Sequence, residues 1–520
     1  MIGIAGWVSF LVLFVIFVLL GFYGARWRRG DLSRLDEWAL AGRRLGTFLV
    51  WFLVGADLYT AYTFVAVPAG VFAKGALYFF AVPYVATVFA LATAVMPPLW
   101  EWSRRRGYIT AADFVEDRFN SRLLAALVAL TGIVAELPYI ALQIVGMSAV
   151  LAVMLLNVVP GASLEFVSDL ALTIAFIILA AFTYTSGLRG ATLTAVFKDA
   201  LIFLSIIAIL IAAPIAIPGA FHTAFKVASS LNSGKGLPTG TSSLNSVFSS
   251  AYLSLWVGSS LALYLYPHSV NGALSAESRR KLAVSTALLP IYGIGLALLA
   301  LYGILVYADS QALNIIRSFP STGYAAVIKG NLPIPALAAT ILPDWLAGVA
   351  LLGIFIGGMV PAAIMAMAQA NLLTRNVARY VVKLTPQGEA RLAKWASVFF
   401  KFLALVFALI PALASVSINL QLLGGIIITQ TLPPIFLGLV TNRFNKYALM
   451  AGWASGILTG VYMFITRYIA TKGASPTLYP IAGHLYYIAV LALVINILVT
   501  LVGTALAVLI KRSAVSKVKA

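Results

Sequence analysis

Hydrophobic residues fall in thirteen long runs that are separated by short polar segments. Each run approaches the roughly 20 apolar residues that a helix needs to cross a bilayer. The pattern therefore predicts an all-α polytopic membrane protein with about thirteen transmembrane helices. These helices cover approximately residues 4–24, 48–71, 76–98, 123–154, 168–187, 194–217, 247–266, 282–308, 345–372, 395–415, 420–440, 446–467 and 485–510.

The positive charges alternate between the two sides of this arrangement. If the N-terminus lies outside, the inner segments contain 27 of the 35 Lys and Arg residues and the outer loops contain 7, with Lys401 inside a span. Positive residues concentrate on the cytoplasmic side of membrane proteins. The bias predicts an external N-terminus and an internal C-terminus. The Ser-, Gly- and Pro-rich stretches 218–246 and 309–344 are then outer loops.

Composition supports this class and excludes others. The chain is 62% hydrophobic and 10% charged, a balance that leaves too few polar groups to cover a soluble domain. The net charge of +19 invites a nucleic-acid interpretation, but the charges lie in loops, so no nucleic-acid partner is expected. The expected partner is the lipid bilayer around the helices. Cysteine is absent, which excludes disulfides and thiolate chemistry.

The second span carries polar groups and helix breakers at membrane depth. Between Gly55 and Gly70 lie Asp57, Tyr59 and Tyr62, together with two threonines and a proline. Such groups persist where a helix faces a cavity instead of lipid. A helix that breaks beside an acid is typical of a transport site.

A similar pattern recurs five spans later. Residues 54–58 read Val-Gly-Ala-Asp-Leu and residues 257–261 read Val-Gly-Ser-Ser-Leu, and each is followed by a proline, Pro68 and Pro267. Paired interrupted helices indicate an inverted-repeat transporter with its site near the membrane midplane. The second interruption is expected near Gly258.

Two other buried groups are candidates for ion coupling or gating. Glu136 lies in the fourth span with no cation near it in sequence, so it is a candidate proton carrier. The alternative is a structural ion pair with a cation such as Lys401. His268 follows Pro267 and is predicted to be a helix-end or gate contact.

Enzyme and pump signatures are incomplete. The acidic group Asp113, Glu116 and Asp117 lies beside several arginines, which predicts local salt bridges instead of a metal site. The sequence shows neither zinc-spaced histidines nor a phosphate-binding loop. We therefore expect a protein that is not an enzyme and has no cofactor other than a sodium ion. A membrane-embedded transferase and the membrane half of a sensor are the other classes considered.

Nine motifs resemble the solute:sodium symporter family, in its monocarboxylate permease branch, over about residues 36–470. They are GADLYTAYTF (55–64), GYITAADF (107–114), PYIALQ (138–143), SGLRG (186–190), KD (198–199), LYPH (265–268), VPAAIM (360–365), ANLLTRN (370–376) and QLLGG (421–425).

The resemblance implies a LeuT-type fold with two inverted repeats of five helices that alternate access between the two membrane faces. The whole chain, 1–520, is then one transport domain. Residues 1–47 are an extra helix and inner loop, 48–217 and 247–440 are the repeats, and 446–520 contain two further helices and a short basic tail.

The resemblance also implies a sodium site with backbone ligands from Ala56, Tyr59 and Ala363. Its hydroxyl ligands fall at Ala366 and Met367, which have no hydroxyl to offer a hard cation. The sodium site is therefore degenerate. Asp199 matches the acid that the family places on the sodium exit route. The loss of the hydroxyls, together with Glu136, predicts coupling to protons, although sodium remains the family's ion.

We expect a plasma-membrane symporter for small monocarboxylates such as lactate, pyruvate or short-chain acids. Because an ionised Asp57 suits an anion poorly, the alternative is a symporter for an alanine-like zwitterion. Exact substrate, stoichiometry and oligomeric state are left open. The candidate substrate-binding residues are Gly55, Asp57, Tyr59, Tyr62, Gln143, Gly258, Ser259 and Ser260. The candidate ion-coupling residues are Ala56, Tyr59, Ala363, Ala366, Met367, Glu136 and Asp199.

Overall fold

The computed structural model describes residues 2–519 except 29, 157, 159–160, 231–245 and 409–416. The described residues are largely helical. The α-helices are α1 Ile4–Tyr23, α2 Leu35–Leu40, α3 Thr47–Leu58, α4 Val67–Lys74, α5 Ala81–Arg106, α6 Ala111–Phe119, α7 Arg122–Leu155, α8 Gly161–Ser186, α9 Leu188–Ala216, α10 Ala220–Ser230, α11 Ser246–Ala262, α12 Pro267–Leu274, α13 Arg279–Leu288, α14 Pro290–Leu305, α15 Ser310–Ser318, α16 Gly323–Gly330, α17 Pro333–Ile341, α18 Asp344–Leu373, α19 Arg379–Val381, α20 Pro386–Ala408, α21 Ser417–Ile428, α22 Gly438–Val440, α23 Lys446–Thr471 and α24 Ile488–Lys519.

Shorter elements join or extend these helices. The 3₁₀ segments are Ala41–Arg43, Gly75–Phe80, Leu263–Leu265, Val306–Ala308 and Thr429–Thr431, and the π-helical segments are Tyr62–Ala66, Thr374–Ala378 and Pro433–Leu437. Strands β1 Leu478–Ile481 and β2 His484–Tyr487 pair antiparallel and lead into α24.

The predicted membrane-spanning segments are helical. Within the described residues, eleven helices are long and apolar enough to cross a membrane. The longest, Tyr62–Arg106, contains a sharp bend at Gly75, where φ is 67° and ψ is −137°. The predicted run 395–415 is helical to Ala408, and its end lies outside the described residues. The count of thirteen and the orientation of the termini stay predictions.

Helix α18 forms the centre of the bundle. Every residue in the most apolar stretch of α18 is buried. In the corresponding stretches of α1 and α24, only 22% and 17% of the residues are buried. Helices α1, α7, α9 and α20 pack around α18. Apolar side chains that remain exposed on α1 and α24 form a surface suited to lipid. Polar groups near α18 are therefore shielded from lipid by at least one layer of helices.

The two segments predicted as outer loops are partly helical. Residues 309–344 contain three short helices, α15 to α17, because their apolar stretches are long enough to pack although too short to span. Helix α17 lies against α4, α7 and α18. Of the stretch 218–246, residues 220–230 form α10, and residues 231–245 lie outside the description.

The acidic group on α6 is confirmed as a set of salt bridges. Asp117 pairs with Arg106 at 2.8 Å, and Glu116 pairs with Arg379 at 3.4 Å. Asp113 accepts a hydrogen bond from the Asn376 side chain at 2.9 Å. These contacts join α6 to the C-terminal end of α5 and to the segments that follow α18.

Close backbone contacts between helices give a first prediction. A Cβ at Gly303 on α14 would overlap the backbone carbonyl of Pro68 on α4. Gly303→Ala should destabilise the protein by about 1–3 kcal/mol, because backbone cannot move aside cheaply. Gly330→Ala is the control, since open space surrounds that position. Thermal unfolding in detergent measures the difference, and equal midpoints for the two variants would refute this packing.

Candidate substrate and ion site

The first interrupted helix lies beside α18 in the bundle interior. Helix α3 ends at Leu58, and Tyr59 leaves the helical region with φ −81° and ψ 74°. The chain resumes as the π-helical segment Tyr62–Ala66 and then α4. The predicted interruption within residues 55–63 is therefore confirmed, and all of these residues are buried. It occurs just after Asp57, whereas Gly55 still lies in regular helix.

The amide groups that this break frees are held by side chains. The Ala61 N–H donates to Oε1 of Gln143 at 2.9 Å, and the Tyr62 N–H donates to the Thr60 hydroxyl at 3.0 Å. Gln143, a predicted substrate residue, therefore sits at the break. These free amides begin at Ala61, about one and a half turns after Gly55.

The carbonyl groups at the break face a lysine. The Lys198 ammonium donates to the carbonyl oxygens of Ala56 at 3.0 Å and Tyr59 at 2.7 Å. It also pairs with Oδ1 of Asp199 at 3.0 Å. Oδ2 of Asp199 accepts a hydrogen bond from the Tyr292 hydroxyl at 2.6 Å. Lys198 and Asp199 are completely buried, so α9 places a charge pair in the membrane interior.

These contacts decide whether the residues present fit a sodium ion. The carbonyls of Ala56 and Tyr59, two of the ligands that the resemblance implies, already accept hydrogen bonds from an ammonium. Ala366 and Met367 are buried on α18 and offer no hydroxyl oxygen. A sodium ion needs several oxygen ligands and is repelled by a neighbouring cation. The donor set does not fit sodium.

The second interrupted helix breaks later than expected. Helix α11 continues to Ala262, a 3₁₀ turn follows, and Tyr266 is extended with φ −63° and ψ 134° before α12 begins at Pro267. The prediction of a break near Gly258 was wrong. A Cβ at Gly258 would crowd the ring of Tyr487, so this glycine serves helix packing.

Glu136 joins α7 to the start of α12. Its Oε1 lies 2.6 Å from Nδ1 of His268 and also accepts the His268 backbone N–H at 3.2 Å. A carboxylate is favoured at a helix N-terminus. The alternative pairing with Lys401 was wrong, because that ammonium bonds the Ser397 hydroxyl at 2.6 Å on its own helix.

Several polar atoms near the two breaks have no hydrogen-bond partner in the described part of the chain. Buried polar groups are normally paired with protein groups, ordered water or a ligand, so these atoms are the candidate contacts for a bound molecule. These atoms are both carboxyl oxygens of Asp57, the hydroxyls of Tyr62, Ser259 and Tyr264, and Nε2 of His268.

Packing contacts connect several of these groups. The carboxyl group of Asp57 faces α12, since a Cβ added at Gly272 would lie 3.4 Å from its Oδ2. The rings of Tyr62 and Tyr84 meet edge to face at 6.4 Å. The residues are at most 3% exposed, so the region is closed to both faces. It can hold a small molecule only after groups on one side move.

Two other predicted substrate residues point elsewhere. The Tyr59 hydroxyl donates to the Tyr292 carbonyl at 2.9 Å, so this side chain faces α14. The Ser260 hydroxyl donates to the Trp256 carbonyl at 2.8 Å on its own helix. Both hydroxyls are already satisfied within the protein. The neighbouring Ser259 hydroxyl, in contrast, has no partner among the residues that the structure describes.

Sequence reasoning missed two residues that organise the site. Lys198 was noted only beside Asp199, and Tyr292 was not considered. His268 was predicted as a helix-end or gate contact, and it lies at the start of α12. A signal for Lys198 was present, since an ammonium inside an apolar run has to find acceptors. No sequence pattern identifies Tyr292, because it is one tyrosine among 22.

Comparison with known proteins identifies the family of the chain. The family model described as the sodium:solute symporter family matches residues 38–460. The chain belongs to this family. A monocarboxylate transport permease protein of Rhizobium johnstonii is 38% identical over 504 residues, which cover 96% of each chain. An uncharacterized symporter of Bacillus subtilis, YodF, is 29% identical over 86% of each chain.

A solved structure supports the fold independently. The symporter resembles a structure titled as the substrate-bound outward-open state of a Na⁺-coupled sialic acid symporter, with a TM-score of 0.70. The match covers 97% of this chain and 98% of the other at 16% sequence identity. At this identity the likeness shows the fold alone, which is of the LeuT type. Family and fold are those of multi-pass membrane transporters.

Proposed function

We propose that this symporter carries small monocarboxylates, such as lactate or pyruvate, across the plasma membrane by alternating access, driven by protons. The observation that carries the proposal is the buried group of polar atoms on the two interrupted helices that have no hydrogen-bond partner among the described residues. The name of the Rhizobium johnstonii relative supports the substrate class.

The enclosure favours a substrate of few atoms. Rings of Tyr139 and Tyr266 lie 5.5 Å from the His268 ring, and Tyr84 borders Tyr62. These rings place apolar surface beside the polar atoms, a combination that is common in small-molecule sites. The substrate carboxylate is expected to take the Ala61 N–H from Gln143 and to accept hydrogen bonds from the hydroxyls.

Asp57 determines which substrate charge is accepted. Both of its oxygens are buried without a hydrogen-bond partner in the described structure. A protonated Asp57 donates a hydrogen bond to a carboxylate, whereas an ionised Asp57 would repel it and attract an ammonium group. Proton-coupled transport of a monocarboxylate requires the protonated form of Asp57. Transport of the second candidate substrate, an alanine-like zwitterion, requires the ionised form.

Counterflow in proteoliposomes separates these candidates. Vesicles loaded with unlabelled lactate should take up external labelled lactate, and excess pyruvate should compete while alanine should not. Counterflow needs no ion gradient, so the result reports the substrate alone. Competition by alanine without competition by pyruvate would contradict the monocarboxylate proposal.

A pair of tyrosine variants tests the location of the substrate. Tyr62→Phe removes a hydroxyl without a partner among the described residues, so stability should persist while the KM for lactate rises about tenfold. Tyr302→Phe is the matched control, because its hydroxyl donates to the Ile206 carbonyl at 2.8 Å. The control should lose about 1 kcal/mol of stability and keep its KM. Thermal unfolding and uptake kinetics measure both variants, and the reverse pattern would refute this placement.

A further inference from the structure

The end of α3 creates a need for a positive charge inside the membrane. Helix α3 stops at Leu58, so carbonyls in its last turn have no amide four residues later to bond. The aligned peptide dipoles also make a helix C-terminus electrically negative. In a bilayer such groups have to be satisfied by the protein or by a bound cation.

Lys198 meets this need with two hydrogen bonds and one ion pair. Its ammonium donates to the carbonyls of Ala56 at 3.0 Å and Tyr59 at 2.7 Å, and both distances are normal for hydrogen bonds. It also lies 3.0 Å from Oδ1 of Asp199, which pairs the two charges. The group is fully buried, so solvent does not compete for it.

We propose that the Lys198 ammonium is a tethered cation that takes the place of the sodium ion in this symporter. It bonds two backbone oxygens that the family resemblance assigns to sodium, on a site where Ala366 and Met367 cannot complete a sodium shell. The charge that bridges the α3 break is therefore part of the chain.

The tethered cation has a structural consequence that a free ion lacks. Asp199 follows Lys198 on α9 and accepts from Tyr292 of α14, so one charge pair connects α3, α9 and α14. A bound sodium ion can leave to the cytoplasm and release these contacts, whereas Lys198 stays attached to α9. The part of this inference that concerns coupling rests on the proposed function: another group then has to exchange a proton with solvent, and we assign this role to Glu136 with His268.

Sodium binding to the purified protein, without any substrate, tests the inference. The thermal midpoint of the wild type should be the same in sodium chloride and in choline chloride at equal concentration. The variant Lys198→Ala with Ala366→Ser and Met367→Ser removes the ammonium and adds two hydroxyls. It should gain a sodium-specific rise of about 2–4 °C in the midpoint.

A matched control uses another fully buried lysine, Lys401. Lys401→Ala with the same two serine substitutions keeps Lys198 in place and should show no response to sodium. A saturable sodium response of the wild type, or an equal response of both triple variants, would overturn the inference. Should the Lys198 triple variant not fold, binding of labelled sodium to the wild type decides alone, since stoichiometric binding contradicts the proposal and absence of binding supports it. Because no transport is measured, failure of the monocarboxylate proposal leaves this test unaffected.

Discussion

Glu136→Gln is expected to abolish lactate uptake driven by a pH gradient while lactate counterflow continues. Glutamine keeps the size of the side chain and can still accept the His268 N–H, so the start of α12 should stay in place. It cannot take up and release a proton. We expect gradient-driven uptake to fall at least about 100-fold, as it does when an essential proton carrier is lost.

Glu101→Gln provides the control for this substitution. Glu101 pairs with Arg105 and Arg279 near the C-terminal end of α5, where the arginines are exposed and an ion pair contributes little. Its gradient-driven uptake should match the wild type. If Glu136→Gln keeps its response to a pH gradient, then the Glu136–His268 pair does not carry the proton. If it also loses counterflow, the residue serves structure or substrate binding.

Gly55→Ala is expected to disable the protein by another route. A Cβ at Gly55 would overlap the ring of Tyr292, whose hydroxyl holds Asp199 and through it Lys198. The ring has little room to move, because Trp51 and Tyr59 pack against it. We expect a loss of about 3 kcal/mol in stability and loss of transport.

A double substitution separates packing from substrate binding at this glycine. Tyr292→Leu makes room for the new methyl group, so the stability cost of Gly55→Ala should shrink by more than half in a Tyr292→Leu background. Gly293→Ala is the mild control, because a Cβ added at Gly293 would lie 3.3 Å from its nearest neighbour, a Val85 side-chain atom. Additive costs of Gly55→Ala and Tyr292→Leu in thermal unfolding would show that Gly55 does not act through Tyr292.

The sequence predicted the broad architecture because hydrophobic length is a local property. An apolar run is recognised as a helix from its own residues alone. The break after Asp57 is likewise indicated by polar groups at membrane depth within one span. The second break was placed too early because Gly258 resembles Gly55 in its neighbours. Its actual role depends on Tyr487, which is more than 200 residues away and could not be foreseen from local pattern.

The sequence did not predict which groups the buried charged residues contact. Glu136 was recognised as a candidate, but its contact with His268 joins α7 to α12 and follows only from the packed structure. Lys198 was likewise visible, while the carbonyls that it bonds became acceptors only because α3 stops at Leu58. Residue type predicts that a buried charge needs a partner, and tertiary packing chooses which one.

The most direct test of proton-coupled monocarboxylate transport is labelled lactate uptake into proteoliposomes in sodium-free choline buffer, with the outside more acidic than the inside. The account predicts accumulation above the level reached without a pH gradient, and collapse of that accumulation on adding a protonophore. Accumulation that requires a sodium gradient and ignores the pH gradient would contradict it.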